Sequence, residues 1–253
     1  MDGAPITVAN PGGTSPILLM CDHASNALPE DYWRLGLPEH VFDEHIAYDI
    51  GARDVTLRLS DRLDATAVLT NFSRLLIDPN REPDHEGLVP TYSDGIEIPG
   101  NRDLDGAEIE RRLHLFHQPF HDALAQQIIA MGARGIVPAS IGIHSFTPIM
   151  QGAGRPWQVG ILWNRDPRIP EPLIDWLRRD PQLTVGDNQP YSGRLLGHTM
   201  NEHGGKHGLA NAVIEIRQDL IDTPDKAHAW ADRIADALTA ISSDASIFTI
   251  RHY

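Results

Sequence analysis

The chain contains 253 residues with a net charge of −14, and 41% of them are hydrophobic and 22% charged, which is the composition of an ordinary globular protein. The negative charge argues against a nucleic-acid-binding surface, and we expect neither a membrane span, which needs an apolar run of about 20 residues, nor a secretion signal. The single cysteine, Cys21, excludes an internal disulfide, so we expect a protein of the cytoplasm.

Short β-rich apolar runs alternate along the chain with segments of helical periodicity. The predicted strands are 16–21, 66–71, 136–143, 158–163 and 212–216. The predicted helices are 43–60, 106–131 with a kink at Pro119, 171–179, and a last helix that follows Thr223-Pro224 and ends near 241. This alternation predicts one three-layer α/β/α domain over residues 1–253, with its core at about 16–240 and a central mixed, largely parallel sheet.

Two histidines close predicted strands. His23 follows the first strand in "LLMCDHASN", and His144 ends another in "IGIHSFTP". Each alone is more commonly a structural histidine, but ligands of such sheets bind beyond the carboxyl ends of the strands. A hydrolytic zinc site uses three protein ligands drawn from histidine and carboxylates. The pair therefore indicates a metal or catalytic site.

The third ligand is expected to be a carboxylate or another histidine. In "DEHIAYDIGA", His45 and Asp49 are four residues apart and would share one face of the predicted helix. Asp49 has the less polar surroundings, and its alternative role is to orient a ligand histidine. Asn26 is a weaker, neutral candidate, and Asp22 could support a ligand through a hydrogen bond.

The segment "SRLLIDPNR" surrounds a strand-like run with polar residues, namely Arg74, Asp78, Asn80 and Arg81. Arginine suits two-pronged recognition of a carboxylate; a surface ion pair between Arg81 and Asp78 is the alternative. The stretch 79–104 that follows has little periodicity and is too long for a simple connector. Because it contains Arg81 and Arg102, we interpret it as an ordered functional loop.

Glu215 interrupts the apolar run "NAVIEIRQDL", where a carboxylate needs a compensating partner. Arg217 shares its strand face, so an internal ion pair is one interpretation. The other is a general base with a raised pKa beside a metal. His203, in "NEHGGKHGL", is a further candidate for substrate binding or proton transfer, although a loop histidine more commonly does neither.

Eight ordered motifs resemble the N-formylglutamate amidohydrolase family over about residues 16–240. They are "LLMCDHASN", "HIAYDIGA", "SRLLIDPNR", "SDGIEIPGNR", "IGIHSFTP", "RPWQVGILWNRD", "DNQPY" and "IEIRQDL". That family is in turn similar to zinc carboxypeptidases and aspartoacylases. The resemblance therefore implies an α/β fold of the zinc-exopeptidase or phosphorylase/hydrolase type, and a zinc-dependent hydrolase of linear amides.

The resemblance also implies a metal site and a base. The matching positions are Asp78-Pro79-Asn80-Arg81, His144-Ser145 and Glu215-Ile216-Arg217. By this resemblance His23 and His144 bind one Zn²⁺ per chain, or another divalent metal, and Glu215 is the general base. The carboxypeptidase pattern has a glutamate three residues after its first histidine, where this chain has Asn26, so we expect Asp49 to be the third ligand.

The resemblance further implies how a substrate is held. Asn80 and Arg81 would grip its carboxylate, and Arg74 would polarise the scissile carbonyl. Further candidates for substrate binding are Arg102, Ser145, His203 and Arg217.

The predicted reaction is hydrolysis of a small anionic N-acyl amino acid, such as N-formyl-L-glutamate, to formate and the free amino acid. The better-known deformylase branch begins with Pro-His-Ser-Gly where this chain has "CDHASN", so the substrate could instead be a different acyl amino acid. A carboxypeptidase- or aspartoacylase-like deacylase, and a non-catalytic relative that binds carboxylate or zinc, also fit the same residues. We expect a monomer or small homo-oligomer without nucleic-acid or membrane partners.

Overall fold

The computed structural model describes residues 3–194 and 198–253. Its strands are β1 (Ile6–Ala9), β2 (Ile17–Cys21), β3 (Thr66–Thr70), β4 (Tyr92–Ser93), β5 (Ile96–Glu97), β6 (Ala139–Phe146), β7 (Ile149–Met150), β8 (Ala153–Gly154), β9 (Val159–Leu162), β10 (Val185–Asp187) and β11 (Asn211–Arg217). Seven of them form one sheet in the order β1-β3-β2-β6-β11-β9-β10. The neighbours β3, β2, β6 and β11 are parallel, whereas β1 and β9 run antiparallel to β3 and β11. The predicted mixed, largely parallel sheet is confirmed.

The helices cover both faces of this sheet. They are α1 (Ala52–Leu63), α2 (Gly106–Arg112), α3 (Gln118–Ala133), α4 (Pro170–Leu177), α5 (His198–His203) and α6 (Pro224–Ile241). Short 3₁₀ turns lie at Glu30–Gly36, Glu39–Asp43, Pro99–Asn101, Gly205–His207, Gln218–Leu220 and Ala245–Phe248. Helices α1, α4 and α6 pack on one face, and α3 and α5 pack on the other. No helix in the described ranges is long and apolar enough to cross a membrane.

The alternation of side chains along the strands separates two cores. Leu19 and Cys21 of β2 point into the layer with α1 and α6, while Leu18 and Met20 point into the layer with α3. Both faces are buried, which explains why the central strands are continuous apolar runs in the sequence. A third apolar cluster, built around Phe72, lies among the loops beyond the sheet edge. The strand ends therefore open into a region enclosed by loops.

The long helix predicted over 106–131 is continuous but changes its winding. Leu113–His117 is a π-helical turn between α2 and α3. Pro119 lacks the N–H that an α-helix would direct at the carbonyl four residues earlier, and a π-turn is a common way to absorb such a break. The π-helical turn ends at His117, and His117 and His121 both hydrogen-bond to the loop at 78–81.

The helix predicted to begin at residue 43 begins only at Ala52, so that prediction is wrong at its start. Gly51 has φ of +78°, a left-handed conformation that glycine adopts without strain. A Cβ there would lie 2.1 Å from the carbonyl oxygen of Ile221. Asp49 consequently stands on a turn before α1, where its backbone N–H donates to the carbonyl of His23 at 3.0 Å.

Candidate active site

The carboxyl ends of neighbouring strands meet at one cavity of about 480 Å³, within the usual range for small-molecule sites. Asp22 and His23 follow β2, His144 lies near the end of β6, and Glu215 lies in β11. Glu215 is the register partner of His144 on parallel strands, so their side chains emerge on the same face. Each of these side chains lines the cavity, and each is at most 6% exposed.

Two buried carboxylates orient the two histidines. Asp78 accepts a hydrogen bond from His23 Nε2 at 2.8 Å, and Asp49 accepts one from His144 Nδ1 at 2.8 Å. The two imidazoles meet edge to face with ring centroids 5.1 Å apart. Each carboxylate fixes which ring nitrogen carries a proton, as in the carboxylate–histidine pairs that support metal sites. His23 Nδ1 and His144 Nε2 are thereby the ring nitrogens that carry a lone pair whenever the imidazoles are neutral.

These two nitrogens converge on Asp22. Its Oδ1 lies 3.0 Å from His144 Nε2 and 3.8 Å from His23 Nδ1. His23 Nδ1 is buried without a hydrogen-bond partner among the described residues. Asp22 Oδ1 is also buried and is held by its ion-pair contact with His144, whereas Asp22 Oδ2 accepts from the Thr199 hydroxyl at 2.7 Å. Buried polar atoms are rarely left unpaired. The three ligand atoms lie within 4.8 Å of one another, so this cluster can hold a metal ion.

Electrostatics favour the charged carboxylates in this cluster. Burial opposes the charge on Asp22, but the imidazoles of His144 and His23 hold its pKa below the usual value. Burial likewise opposes ionisation of Asp78, yet the guanidinium of Arg74 and the imidazole of His23 keep its pKa well below normal. The carboxylates therefore stay ionised at neutral pH. Although burial opposes a charge on the imidazoles, these carboxylates raise the pKa of His23 and hold the pKa of His144 well above its usual value. A divalent cation bound here would take the place of the imidazole protons as the positive charge facing the carboxylates.

Glu215 differs from the other acids of the cavity. Burial raises its pKa to about 7, and its Oε2 has no hydrogen-bond partner among the described residues. The alternative in which Arg217 pairs with it is not what the structure shows, because Arg217 bonds Asp219 at 2.7 Å. A buried carboxylate with a raised pKa beside a metal-binding cluster is suited to taking up and releasing a proton.

The structure separates the two roles considered for Asp49 and Asp22. Asp49 Oδ2 is occupied by His144 Nδ1 and by the backbone N–H of Ser145 at 3.2 Å. Its Oδ1 lies 3.5 Å from His23 Nδ1, but the group that offers one converging atom each is Asp22, His23 and His144. Asp49 is therefore placed to orient His144, and Asp22 is the carboxylate whose oxygen completes the cluster. The helical spacing that grouped His45 with Asp49 does not exist in the fold.

The remaining candidates for the third ligand are turned away. Asn26 donates to the carbonyl of Phe42 at 2.7 Å. His45 lines the outer cavity, where its Nε2 lies 3.2 Å from Asp94 Oδ2.

Three predicted polar residues of the 74–81 segment also line the cavity. Arg74 donates to Asp78 at 2.6 Å and lies 3.8 Å from Asp49. Asn80 Oδ1 accepts from the backbone N–H of Thr199 at 3.2 Å. Arg81 donates to the carbonyl of Asn80 at 3.1 Å and makes no ion pair within the described residues. The alternative of a surface pair between Arg81 and Asp78 is not what the structure shows, because Asp78 is buried and paired with Arg74.

Four further candidates for substrate binding divide into one at the cavity and three away from it. Ser145 lines the cavity, and its hydroxyl donates to the carbonyl of Ile50 at 2.8 Å. Arg102 forms an exposed ion pair with Glu97, and Arg217 pairs with Asp219. His203 is buried behind the site. These last three do not line the cavity: Arg102 and Arg217 are paired with acids nearby in the chain, and His203 is hydrogen-bonded to His121.

A layer of four histidines, of which the sequence indicated His203 alone, supports the 78–81 segment from behind. The histidine layer comprises His117, His121, His198 and His203. His117 Nε2 donates to the carbonyl of Arg81, and His121 Nε2 to that of Pro79, both at 3.0 Å. These two carbonyls flank Asn80. The spacing of His117 and His121, four residues apart within a helical pattern, is the signal that could have revealed them.

The histidine layer is neutral at physiological pH. Burial lowers the pKa of His121 to about 3 and that of His203 to about 4. His121 Nδ1 therefore accepts from His203 Nε2 at 2.8 Å. Although His117, His121 and His198 are close enough to bind a metal, both nitrogens of His121 are already hydrogen-bonded. The layer acts as a scaffold for the loop.

Comparisons with known proteins agree with this geometry. The sequence matches the family model of N-formylglutamate amidohydrolase over residues 15–222. Similar solved structures include a gene product from Agrobacterium tumefaciens, with 36% identity, a TM-score of 0.93 and coverage of 96% of this chain and 97% of that chain. They also include N-formylglutamate amidohydrolase from Ralstonia eutropha JMP134, with 21% identity, a TM-score of 0.70 and coverage of 95% and 98%, a likeness of fold alone. A comparison with curated protein sequences gave no match.

Proposed function

Since the chain belongs to the N-formylglutamate amidohydrolase family, we propose that it is a metal-dependent hydrolase of small N-acyl amino acids, most simply N-formyl amino acids. The products would be formate and the free amino acid. The observation that carries this proposal is the convergence of three atoms that could ligate a metal, from Asp22, His23 and His144, in the same cavity as Glu215. His23 Nδ1 and Glu215 Oε2 are both buried there without a hydrogen-bond partner among the described residues.

Asp22, His23 and His144 would hold the metal. Two neutral imidazoles and one carboxylate form the donor set typical of catalytic zinc, which keeps a further position open; we therefore propose Zn²⁺. When bound, the cation would act as a Lewis acid and lower the pKa of water toward about 7. Asp78 and Asp49 would hold the two imidazoles in the required tautomers through their 2.8 Å hydrogen bonds.

Glu215 would carry the proton through the reaction. As general base it takes a proton from the attacking water, whose oxygen forms a bond to the acyl carbon. It then gives that proton to the nitrogen of the leaving amino acid as the amide C–N bond breaks. A pKa of about 7 suits both steps at neutral pH.

The arginines would bind the remaining charges. Arg74 is tied to Asp78, but its side chain is 26% exposed at the cavity, and its remaining N–H groups can stabilise negative charge that develops on the acyl oxygen. Arg81 has no acidic partner within the described residues and lines the cavity, so it would bind the carboxylate of the amino acid. Asn80 would add a hydrogen bond.

Replacing Arg81 with alanine is expected to raise KM by about 10- to 100-fold, the value of one or two charge-assisted hydrogen bonds, with a smaller effect on kcat. Steady-state kinetics with an N-formyl amino acid measure this split. The matched control is Arg178→Ala, an exposed arginine in the structure. An unchanged KM in the Arg81 variant would place the carboxylate clamp elsewhere.

Replacing His121 with alanine is expected to raise KM by about tenfold or more, because the segment that carries Asn80 and Arg81 loses one of its two histidine hydrogen bonds. Zinc content should stay at the wild-type level, since His121 contacts no proposed ligand. His121→Gln retains a donor for the Pro79 carbonyl and should recover most of the loss. A glutamine variant as impaired as the alanine variant would argue against positioning through that hydrogen bond.

The proposal itself is tested by incubating the zinc-loaded protein with N-formyl and N-acetyl amino acids and with a dipeptide, and measuring formate, acetate and free amine. Formate release is the expected result. Preferential release of acetate would indicate an aspartoacylase-like deacylase, and cleavage of the dipeptide a carboxypeptidase. Tight zinc binding with no turnover of any compound would indicate a non-catalytic relative.

A further inference from the structure

We infer that the cavity selects N-acyl amino acids with a single carboxylate and an uncharged side chain, and that it disfavours N-acylglutamate. This inference rests on the proposed function and specifies its substrate class. It follows from the number and pairing of charged side chains around the cavity.

The cavity offers one arginine for one carboxylate. Within residues 3–194 and 198–253, Arg74 and Arg81 are the arginines that line it. Arg74 is already paired with Asp78 at 2.6 Å and lies 3.8 Å from Asp49. Only Arg81 of the two makes no ion pair with an acid among these residues. A second substrate carboxylate would find no equivalent partner, and an unpaired carboxylate that leaves water is costly.

Two exposed acidic residues, Glu86 and Asp94, also line the cavity. His45 Nε2 lies 3.2 Å from Asp94 Oδ2, and His85 uses its Nδ1 to accept from the backbone N–H of Gly87 at 2.9 Å. A side-chain carboxylate in this region would meet like charge, which disfavours binding. The net charge of −14 acts in the same direction on a dianion that approaches.

Apolar or aromatic side chains supply much of the remaining wall. They are Ile46, Leu75, Pro90, Tyr92, Phe146, Met150, Leu162, Met200 and Val213. Such a surface stabilises an uncharged side chain through burial of apolar area. The uncharged polar residues Ser93, Thr147 and Gln151 also line the cavity; they can hydrogen-bond the amide of a glutamine side chain but do not neutralise a carboxylate.

A third arginine lies nearby but behind this wall. Arg155 stacks on the rings of Tyr191 and Phe146, with its guanidinium carbon 4.8 and 5.8 Å from their centroids. It also donates to the Tyr191 hydroxyl at 2.9 Å. Tyr191 and Phe146 line the cavity and Arg155 does not, so a substrate would reach this charge only if Tyr191 moved.

The test compares N-formyl-L-glutamine with N-formyl-L-glutamate, which have nearly the same shape and differ in one charge. We expect kcat/KM to be about tenfold or more higher for the glutamine compound at low ionic strength, where surface charge is least screened. Glu86→Gln should narrow this ratio several-fold, whereas Glu110→Gln, an exposed acid on α2 away from the cavity, should leave it as in the wild type.

The opposite outcomes reject the inference in distinguishable ways. Equal or faster hydrolysis of the glutamate compound would overturn the inference and leave the proposed function in place. If Arg155→Met then removed activity on glutamate but not on glutamine, Arg155 would be the second carboxylate clamp. Hydrolysis of neither compound, nor of N-formyl-L-methionine, by zinc-loaded protein would reject the proposed function and this inference together.

Discussion

Replacing Glu215 with glutamine is expected to lower kcat by about 10²- to 10⁴-fold, the usual contribution of a general base. Glutamine has nearly the same volume, so the packing of β11 between β6 and β9 is retained. Because the wild-type Oε2 makes no hydrogen bond among the described residues, no structural contact is lost. Zinc affinity and the thermal unfolding midpoint should therefore stay close to wild type.

The pH profile gives a second readout of Glu215. A general base must be deprotonated, so activity should fall as the pH drops through its pKa. Burial raises that pKa to about 7, and a nearby cation favours the charged form, so the acidic limb of kcat/KM is expected at or below this value. The limb should be absent from the residual activity of Glu215→Gln. If Glu215→Gln retained more than half of the wild-type kcat, Glu215 would not be the general base.

Replacing Asp22 with asparagine is expected to weaken zinc binding by more than the about 10- to 100-fold that is typical of residues that only support a ligand. Asparagine keeps an oxygen for the Thr199 hydroxyl but loses the charge that faces His23 and His144. The loss should appear in competition with a chromophoric chelator and in the metal content after dialysis.

Asp49→Asn is the matched comparison for this second prediction. Asp49 accepts from His144 Nδ1 at 2.8 Å, so its replacement should loosen the imidazole and cost zinc affinity within the about 10- to 100-fold range. If Asp22→Asn retained wild-type affinity while Asp49→Asn lost the metal, the ligand assignments would be reversed. Circular dichroism of both variants separates loss of metal from loss of fold.

The central strands could be predicted from the sequence because both faces of the sheet are buried. The runs at 16–21 and 66–71 correspond to β2 and β3 within one residue at each end. The short edge strands β1 and β10 were missed, since four or three partly exposed residues leave no periodic signal. Strand ends also brought His23, His144 and Glu215 together as predicted, because parallel strands deliver their carboxyl ends to one edge.

The detailed roles of residues could not be predicted because they depend on turns and on distant contacts. The helix start at Ala52 rests on the left-handed Gly51 and its approach to Ile221, a contact between residues far apart in the chain. That turn directs Asp49 to His144. A surface pair of Asp78 with Arg81 remained an alternative because nothing local shows that His23, 55 residues away, donates to Asp78.

Arg102 and Arg217 were predicted to bind substrate but do not line the cavity, for a related reason. Each lies beside a motif that does reach the site, but its own side chain turns to a nearby acid, Glu97 or Asp219. Sequence proximity to a motif does not give the direction of a side chain. Only the register of the strand and the conformation of the following turn decide it.

The most direct test of the central claim is a zinc add-back titration of chelator-treated protein, in which formate release from an N-formyl amino acid is followed continuously. We expect the metal-free protein to be inactive, and its rate of formate release to rise in proportion to added zinc until one equivalent per chain is bound. The activity of Asp22→Asn should not be restored by one equivalent of zinc. Formate release at the full rate by the metal-free protein would contradict the central claim.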